Sequence, residues 1–355
     1  MLDRCLRHPA ASARGKILCT FVSSRCPARG SCEPAPPTGR LRVSRRSVLV
    51  TGGAGYLGSV LCEHLLDAGW QVTAVDNLMY RQHPLLHLCA NPSFAFVRGD
   101  VRDETVIRPL IAKADALVPL AAIVGAPACD RDPRLAESVN VEAVRLLNRL
   151  RSPRQLVVFP NTNSGYGTRA GSAVCTEDTP LEPISLYGRT KAQAEAELLA
   201  TPNAVTLRLA TVFGTSPRMR LDLLVNHFVY AAVTDGYIVI FEKDFRRNYV
   251  HIRDVADCFV YCLEHGERLA GRCYNFGLDA ANMSKEDLAL KVKEHVPDLV
   301  IQFSSFRSDV DRRDYIVSNA RLRDSGFEAR RSLDDGIEEL LKGYRMLPRG
   351  PFQNV

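Results

Sequence analysis

The chain has 355 residues, 46% apolar and 24% charged, which suits one large domain or a domain with a smaller lobe, with enough length for a full core. No run of about 18 apolar residues occurs, which argues against a membrane span. The net charge of +6 comes from residues 1–46, where nine Arg and Lys16 face only Asp3 and Glu33; the other 309 residues carry about −2, which argues against nucleic acid as a partner.

Residues 1–46 are rich in Arg, Pro, Ser and Cys and show no apolar period, so they read as a disordered basic extension. An Arg-rich, acid-poor start fits an organelle transit peptide. A wrongly chosen upstream start or a plain solvated extension fits as well, and these two are preferred because no amphipathic helix is clear. Four of the eleven cysteines (Cys5, Cys19, Cys26, Cys32) lie in this extension, and the other seven show neither a C-x-x-C pair nor metal-ligand spacing. Free thiols in a cytoplasmic protein, with no metal, are the expectation.

Ser47–Val50 reads as a buried strand, followed by a glycine-rich turn and a helical pattern from Tyr56 to Ala68. Further apolar strands are expected at Trp70–Val75, Phe94–Val97, Ala116–Pro119, Gln155–Phe159 and Ala204–Leu209, with helices between them that include Arg134–Leu150 and Tyr187–Leu199. Strands alternating with helices predict a doubly wound parallel sheet of the Rossmann type over residues 47–214. After Gly214 the rhythm is less regular. Helices are expected near 222–235, 283–295 and 333–345, and short strands near Tyr237–Phe241 and Leu299–Phe303. Residues 215–355 therefore read mainly as a smaller α/β lobe that closes over the mouth of the sheet.

Thr51-Gly52-Gly53-Ala54-Gly55-Tyr56-Leu57-Gly58 sits between a strand and a helix. In its G-x-x-G-x-x-G spacing, Gly52 permits the tight turn, Gly55 lets backbone approach a pyrophosphate, and Gly58 lets helix and strand pack closely. The helix start then offers amides and a positive dipole end to phosphate. Glycines also serve ordinary loops; the flanking strand and helix give this turn its dinucleotide meaning. Asp76 closes the second strand, where a carboxylate accepts ribose hydroxyls and repels the extra phosphate of NADP, favouring NAD. A solvated Asp opening the Asp76-Asn77 turn is the plainer alternative. Asp100, before Val101, is a candidate adenine contact, though by itself it reads more readily as a turn residue.

Tyr187 and Lys191 stand four apart on an expected helix, hence on one face. A free tyrosine titrates near pH ~10, and a neighbouring ammonium with the positive nicotinamide ring favours its phenolate. Tyr187 then takes a hydroxyl proton as hydride leaves the same carbon, while Lys191 also holds the nicotinamide ribose. Alone, such a pair reads as a surface contact; after a dinucleotide turn and a fifth strand it reads as catalytic.

These features, with Gly99-Asp100-Val101, Leu120-Ala121-Ala122, Arg247-Asn248-Tyr249-Val250-His251 and Ser332-Leu333-Asp334-Asp335-Gly336-Ile337, resemble the extended short-chain dehydrogenase/reductase family of nucleotide-sugar epimerases, dehydratases and oxidoreductases, from about Ser47 to Tyr344. The resemblance implies NAD held by Gly52, Gly55, Tyr56, Leu57, Gly58, Asp76, Asn77, Asp100, Val101, Leu120, Ala121, Ala122, Tyr187 and Lys191. It places Thr162 on the reacting sugar hydroxyl, with Asn161 or Ser164 able to share the role; a polar loop that only caps backbone is the alternative. Arg247 matches an arginine that contacts the nucleotide diphosphate, a contact suited to a guanidinium. Arg313 is a second candidate, equally readable as a surface ion pair, and the Arg218-Met219-Arg220 loop lines the same pocket. Cys129 reads as a buried thiol, and His251 as a brace for the Arg247 loop.

The resemblance also implies a homodimer through the helices at 134–150 and 187–199, with Val141, Val144, Ala192 and Ala196 on their outer faces. The expected function is NAD-dependent oxidation or epimerisation at the sugar 4-position. Dehydratases of this family carry an Asp-Glu pair after the catalytic Thr, where this chain has Asn163 and Ser164. Dehydration and a non-catalytic NAD sensor remain the alternatives.

Overall fold

The computed structural model describes residues 46–169, 173–304 and 313–347; the expected extension at 1–46 lies outside these, save for Arg46. In chain order the first part runs β1 (Ser47–Thr51), α1 (Tyr56–Asp67), β2 (Gln71–Asp76), β3 (Phe94–Arg98), α2 (Glu104–Ile111), β4 (Ala116–Pro119), α3 (Ala126–Arg131), α4 (Pro133–Glu137), α5 (Ala143–Leu150), β5 (Leu156–Thr162), β6 (Val174–Cys175), α6 (Leu186–Leu199), β7 (Ala204–Leu209) and β8 (Thr211–Phe213). The second part runs α7 (Leu224–Thr234), β9 (Tyr237–Ile240), β10 (Arg246–His251), α8 (Ile252–Glu264), α9 (Gly266–Leu269), β11 (Arg272–Phe276), β12 (Asn282–Ser284), α10 (Lys285–His295), β13 (Val300–Phe303), β14 (Ile316–Val317), α11 (Ala320–Asp324) and α12 (Leu333–Tyr344).

Seven parallel strands form one sheet in the order β11-β7-β5-β4-β1-β2-β3. This is a Rossmann arrangement, and its strand order reverses at β1, where a crevice forms beyond the carboxyl ends. The central strands are mainly apolar because both faces are covered, with Asn161 on β5 and Thr206 and Arg208 on β7 as buried polar exceptions. On one face Val48, Val50, Val158 and Leu207 pack with residues of α1 and α8. On the other, Leu49, Leu117, Val157 and Phe159 pack with residues of α2, α5 and α6.

The lobe has its own core of Val225, Phe228, Leu288, Ile337 and Leu340, contributed by α7, α10 and α12. Capping boxes start two of these helices: Ser284 with Asp287 on α10, and Ser332 with Asp335 on α12. Strand β10 lies between β8 and β12 in a small mixed sheet. The chain does not leave the large sheet for good at Gly214, because β11 returns as its edge strand and α8 covers one face.

Three expectations need correction. The helix expected at 134–150 is broken: α4 and α5 are joined by a π-helical turn, Ser138–Glu142. Arg247 lies within strand β10, not in a loop, and α8 follows it at once. Val141 and Val144 are buried within the chain and do not form an outer face; Ala192 is half-buried and Ala196 exposed. Among the described residues no helix is long and apolar enough to cross a membrane, and the seven described cysteines are free.

Candidate active site

A cavity of about 550 Å³ opens beyond the carboxyl ends of β1, β2, β4 and β5, beneath residues of the lobe. Gly52, Gly55, Tyr56, Leu57 and Gly58 line it, with Asp76, Asn77, Asp100, Val101, Leu120, Ala121 and Ala122. Thr162, Tyr187 and Lys191 line the same cavity, as do Arg218, Arg247 and Arg313. The fold thus gathers residues spread over more than 250 positions of sequence into one space.

The glycine turn is tight for stated reasons. Gly52 has φ +68°, and a Cβ there would lie 2.6 Å from the Ala121 amide nitrogen. A Cβ on Gly58 would lie 2.4 Å from the Gly52 carbonyl oxygen, so only glycine lets α1 start this close to β1. Gly55 is the N-cap of α1 and no side chain caps that helix, which leaves its N-terminal amides for a ligand's phosphates. Asp76 braces the turn from β2: its Oδ2 accepts the Ala54 amide at 3.0 Å and its Oδ1 the Leu78 amide at 2.8 Å. Burial raises its pKa, against those two hydrogen bonds and the charge of Arg218. This cradle, uncapped helix and strand-end carboxylate fit the pyrophosphate and ribose of NAD.

Other expected contacts carry different geometry. The Tyr56 hydroxyl donates to the Gly214 carbonyl at 2.7 Å and accepts from Asn226 at 3.2 Å, tying α1 to the lobe. Arg102 grips the Asp100 carboxylate through Nε at 2.9 Å and Nη2 at 2.7 Å, which holds its pKa down to about 2. The Arg218 guanidinium lies 4.2 Å from the centroid of the Tyr80 ring and its charge reaches Asp76, so it stands toward the β2 end of the cavity.

Helix α6 presents the Tyr187/Lys191 face. Ser185 caps it by accepting the Gly188 amide at 3.1 Å. Tyr187 is half-buried, and burial pushes its phenol up to about 12; Arg220 leads the opposing charges, followed by Arg313. Lys191 is 3% exposed, its Nζ 3.8 Å from the centroid of the Phe159 ring on β5. Burial drives its ammonium down to about 7, with Glu195 the leading charge against that fall. The cation acting most on Tyr187 is therefore Arg220, not the ammonium the sequence suggested.

At the end of β5 the Thr162 Oγ1 and Ser164 Oγ lie 2.8 Å apart, and the Ser164 amide donates to Thr162 Oγ1 at 3.1 Å. Asn163 is fully buried, does not line the cavity, and finds no hydrogen-bond partner for its amide group among the described residues. Arg247 is 3% exposed in β10, and its guanidinium lies 5.9 Å from the centroid of the Tyr315 ring. Lys285 opens α10 beside it in the cavity wall, donating to the Phe241 carbonyl at 2.9 Å.

The profile of the NAD dependent epimerase/dehydratase family matches residues 48–277. The chain belongs to this family. It is 30% identical over 318 residues to a dTDP-glucose 4,6-dehydratase of Actinoplanes sp., covering 84% of this chain and 97% of that protein. It is 29% identical over 311 residues to the low-salt glycan biosynthesis protein Agl12 of Haloferax volcanii, covering 84% and 98%. A solved UDP-glucose 4-epimerase of Thermotoga maritima with UDP-glucose superposes with a TM-score of 0.74 at 23% identity, over 84% of this chain and 98% of that one. The fold of this extended short-chain dehydrogenase/reductase is thus shared by epimerases and dehydratases alike.

Within this epimerase/dehydratase frame, sequence reading overlooked several site residues. Asn140, in the π-helical turn, accepts the Ile123 amide at 2.8 Å and donates to the Ile123 carbonyl at 3.0 Å and to Thr190 Oγ1 at 3.2 Å. It thereby ties the loop after β4 to α6; a polar residue inside an otherwise apolar helical run was its only signal. Tyr80 and Lys285 carried none. Cys129 is a buried thiol whose Sγ donates to the Ile123 carbonyl at 3.3 Å. His251 caps α8 and sits 3.2 Å from Glu339, so it braces α12 and not a loop at Arg247.

Proposed function

We propose that this chain oxidises the 4-hydroxyl of a nucleotide-activated sugar with NAD and delivers the 4-keto sugar or its 4-epimer, without loss of water. NAD supplies the hydride acceptor. Tyr187 takes the hydroxyl proton, the Thr162–Ser164 pair orients that hydroxyl, and Lys191 supports the ribose beside it. Arg247 and Arg313, with Lys285, bind the diphosphate.

The observation that carries this reading is the state of the carboxylates. Elimination needs a base beside the new ketone and an acid for the departing hydroxyl. Asp76 is braced on two backbone amides and Asp100 is gripped by Arg102. Burial would raise Asp222, but its ion pair with Arg220 more than offsets that and leaves it low, a poor acid. Asn163 and Ser164 stand where dehydratases carry Asp and Glu, and neither titrates near neutral pH.

Mass spectrometry of products from a panel of sugar nucleotides tests this. An unchanged mass or the loss of two hydrogens is expected. A product lighter by one water would establish the dehydratase reading instead. The seven cysteines among the described residues are free, which supports a reducing, cytoplasmic setting. A homodimer through α5 and α6 belongs to the same reading; its contacts would be Ala196 and the Arg145–Glu197 ion pair, and light scattering at micromolar concentration tests it.

A further inference from the structure

Behind the catalytic face lies a buried ion pair that the reaction scheme does not use. Glu195, on α6 one turn beyond Lys191, is 3% exposed, and Arg208, on β7, is 6% exposed. Both Glu195 oxygens are fully engaged. Oε1 accepts Arg208 Nε at 3.0 Å and Nη2 at 2.7 Å; Oε2 accepts Asn161 Nδ2 at 2.7 Å and Thr206 Oγ1 at 2.9 Å. Asn161 passes the constraint on, because its Oδ1 accepts the Thr162 amide at 2.8 Å. Arg208 extends it the other way, donating from Nη1 to the Tyr166 hydroxyl and the Glu177 carbonyl, each at 3.0 Å. Tyr166 ends the turn that Thr162 opens.

We propose that Glu195 is a positioning residue: its single carboxylate fixes the strand end carrying Thr162 against the helix turn carrying Lys191. A well-packed apolar pair would stabilise the core at least as well as a buried ion pair. A fully satisfied network instead holds several elements in one arrangement, and that is what two groups sharing one reacting carbon require. This inference rests on the function proposed above for Thr162 and Lys191.

The carboxylate also acts by charge. Tyr187 shares the helix face and cavity wall with Lys191, and the charges acting on Lys191 are those of Glu195 on its own helix and Cys129 on α3; β5 presents the Phe159 ring, and the β7 cation Arg208 is committed to Glu195. Glu195 is thus the anion that keeps a proton on a buried ammonium.

The test uses the full chain with NAD bound. Glu195→Gln keeps the shape and removes the charge. Glu195→Gln with Arg208→Met removes the whole ion pair, leaves neither charge of the pair buried alone, and carries the test if the single variant does not fold. Asn161→Leu cuts the arm to Thr162 and leaves Glu195 held by Arg208 and Thr206. Lys191 is followed through its 13Cε resonance as pH is raised, a readout that needs neither substrate nor turnover. In the Glu195 variants the Lys191 midpoint is expected to fall by about half a unit or more, and in Asn161→Leu to stay. Turnover number is expected to fall about tenfold or more in every variant, with KM and NAD affinity within about twofold. An unchanged Lys191 midpoint in the paired variant, or an undiminished turnover number in Asn161→Leu, overturns the inference. A wild-type chain that turns over no sugar nucleotide overturns the proposed function alone, and the lysine titration then still decides the role of Glu195.

Discussion

The Lys191 ammonium lies 3.8 Å from the centroid of the Phe159 ring, inside the fold and not at its surface. The ring face offers a cation some attraction, but far less than water does. Burial accordingly lowers the lysine to about 7. An unfolded lysine titrates near ~10.4, so between the two values the unfolded chain binds more protons and stability rises with pH. Below pH 7 both states are protonated and the burial penalty is fully present. Lys191→Met should therefore raise the thermal midpoint by several degrees at pH 6, with the gain shrinking toward pH 10, while turnover is lost. Melting curves at both pH values check this; a gain independent of pH would trace the effect to packing instead of charge.

Tyr187→Phe removes one hydroxyl and almost no volume. The ring stays half-buried on α6 and the cavity wall keeps its shape. Turnover should fall by roughly 10²–10⁴-fold, the usual contribution of a positioned proton acceptor, with NAD affinity unchanged. Steady-state rates paired with a cofactor titration measure both. A variant that keeps most of its activity would move the base to another residue.

Much of this arrangement was legible in the sequence because its signals are local. The strands β1 to β5 are short apolar runs, and the turn at Gly52–Gly58 has backbone requirements only glycine meets. The Tyr187/Lys191 spacing is fixed by helix geometry. The less legible parts depend on distant partners. Strand β10 carries Arg246, Arg247 and Asn248, polar residues that mask a strand until Ser284, Met283 and Asn282 pair with them. The break at Ser138–Glu142 holds Asn140, which bonds to Ile123 and Thr190, 17 and 50 positions away. Arg220 stood beside Arg218 in one polar loop; only the fold distinguishes a cation reaching Tyr187 from one stacked on Tyr80.

Asp76 holds two backbone amides and still faces the cavity with a negative charge. A ribose carrying a 2′-phosphate would bring like charge against it. NAD should bind about tenfold or more tightly than NADP, and Asp76→Asn should narrow that ratio mainly by improving NADP. Fluorescence titrations with both cofactors give the ratio directly. Equal affinities in the wild-type chain would mean that Arg218, near the same carboxylate, neutralises it toward the ligand.

Arg220 makes the sharpest case, because its role reads out as a direction on the pH axis. Its guanidinium is buried in the cavity wall and paired with Asp222 through Nε at 3.1 Å. Burial raises the Tyr187 phenol, and Arg220 is the foremost charge pulling it back. A phenolate is the form that accepts the sugar proton, so the rate rises with pH as Tyr187 ionises. Replacing Arg220 with Gln removes the favourable charge, and the Asp222 anion is left uncompensated in the same wall. Both changes disfavour the phenolate, so the acidic limb of the kcat/KM profile should move to higher pH. A shift of about one unit corresponds to about 1.4 kcal/mol of lost interaction with the ionised form. Arg220→Gln with Asp222→Asn removes the pair together and should recover only part of the shift, since the anion is gone but the cation is still missing. Arg220→Lys, which keeps a charge without the bidentate fork, should stay close to wild type in limb position even if its KM changes. Profiles for the three variants with NAD bound, whose positive nicotinamide ring favours the phenolate, decide the matter. An acidic limb that stays put in Arg220→Gln would mean that Arg220 serves the substrate's charge and not the proton acceptor.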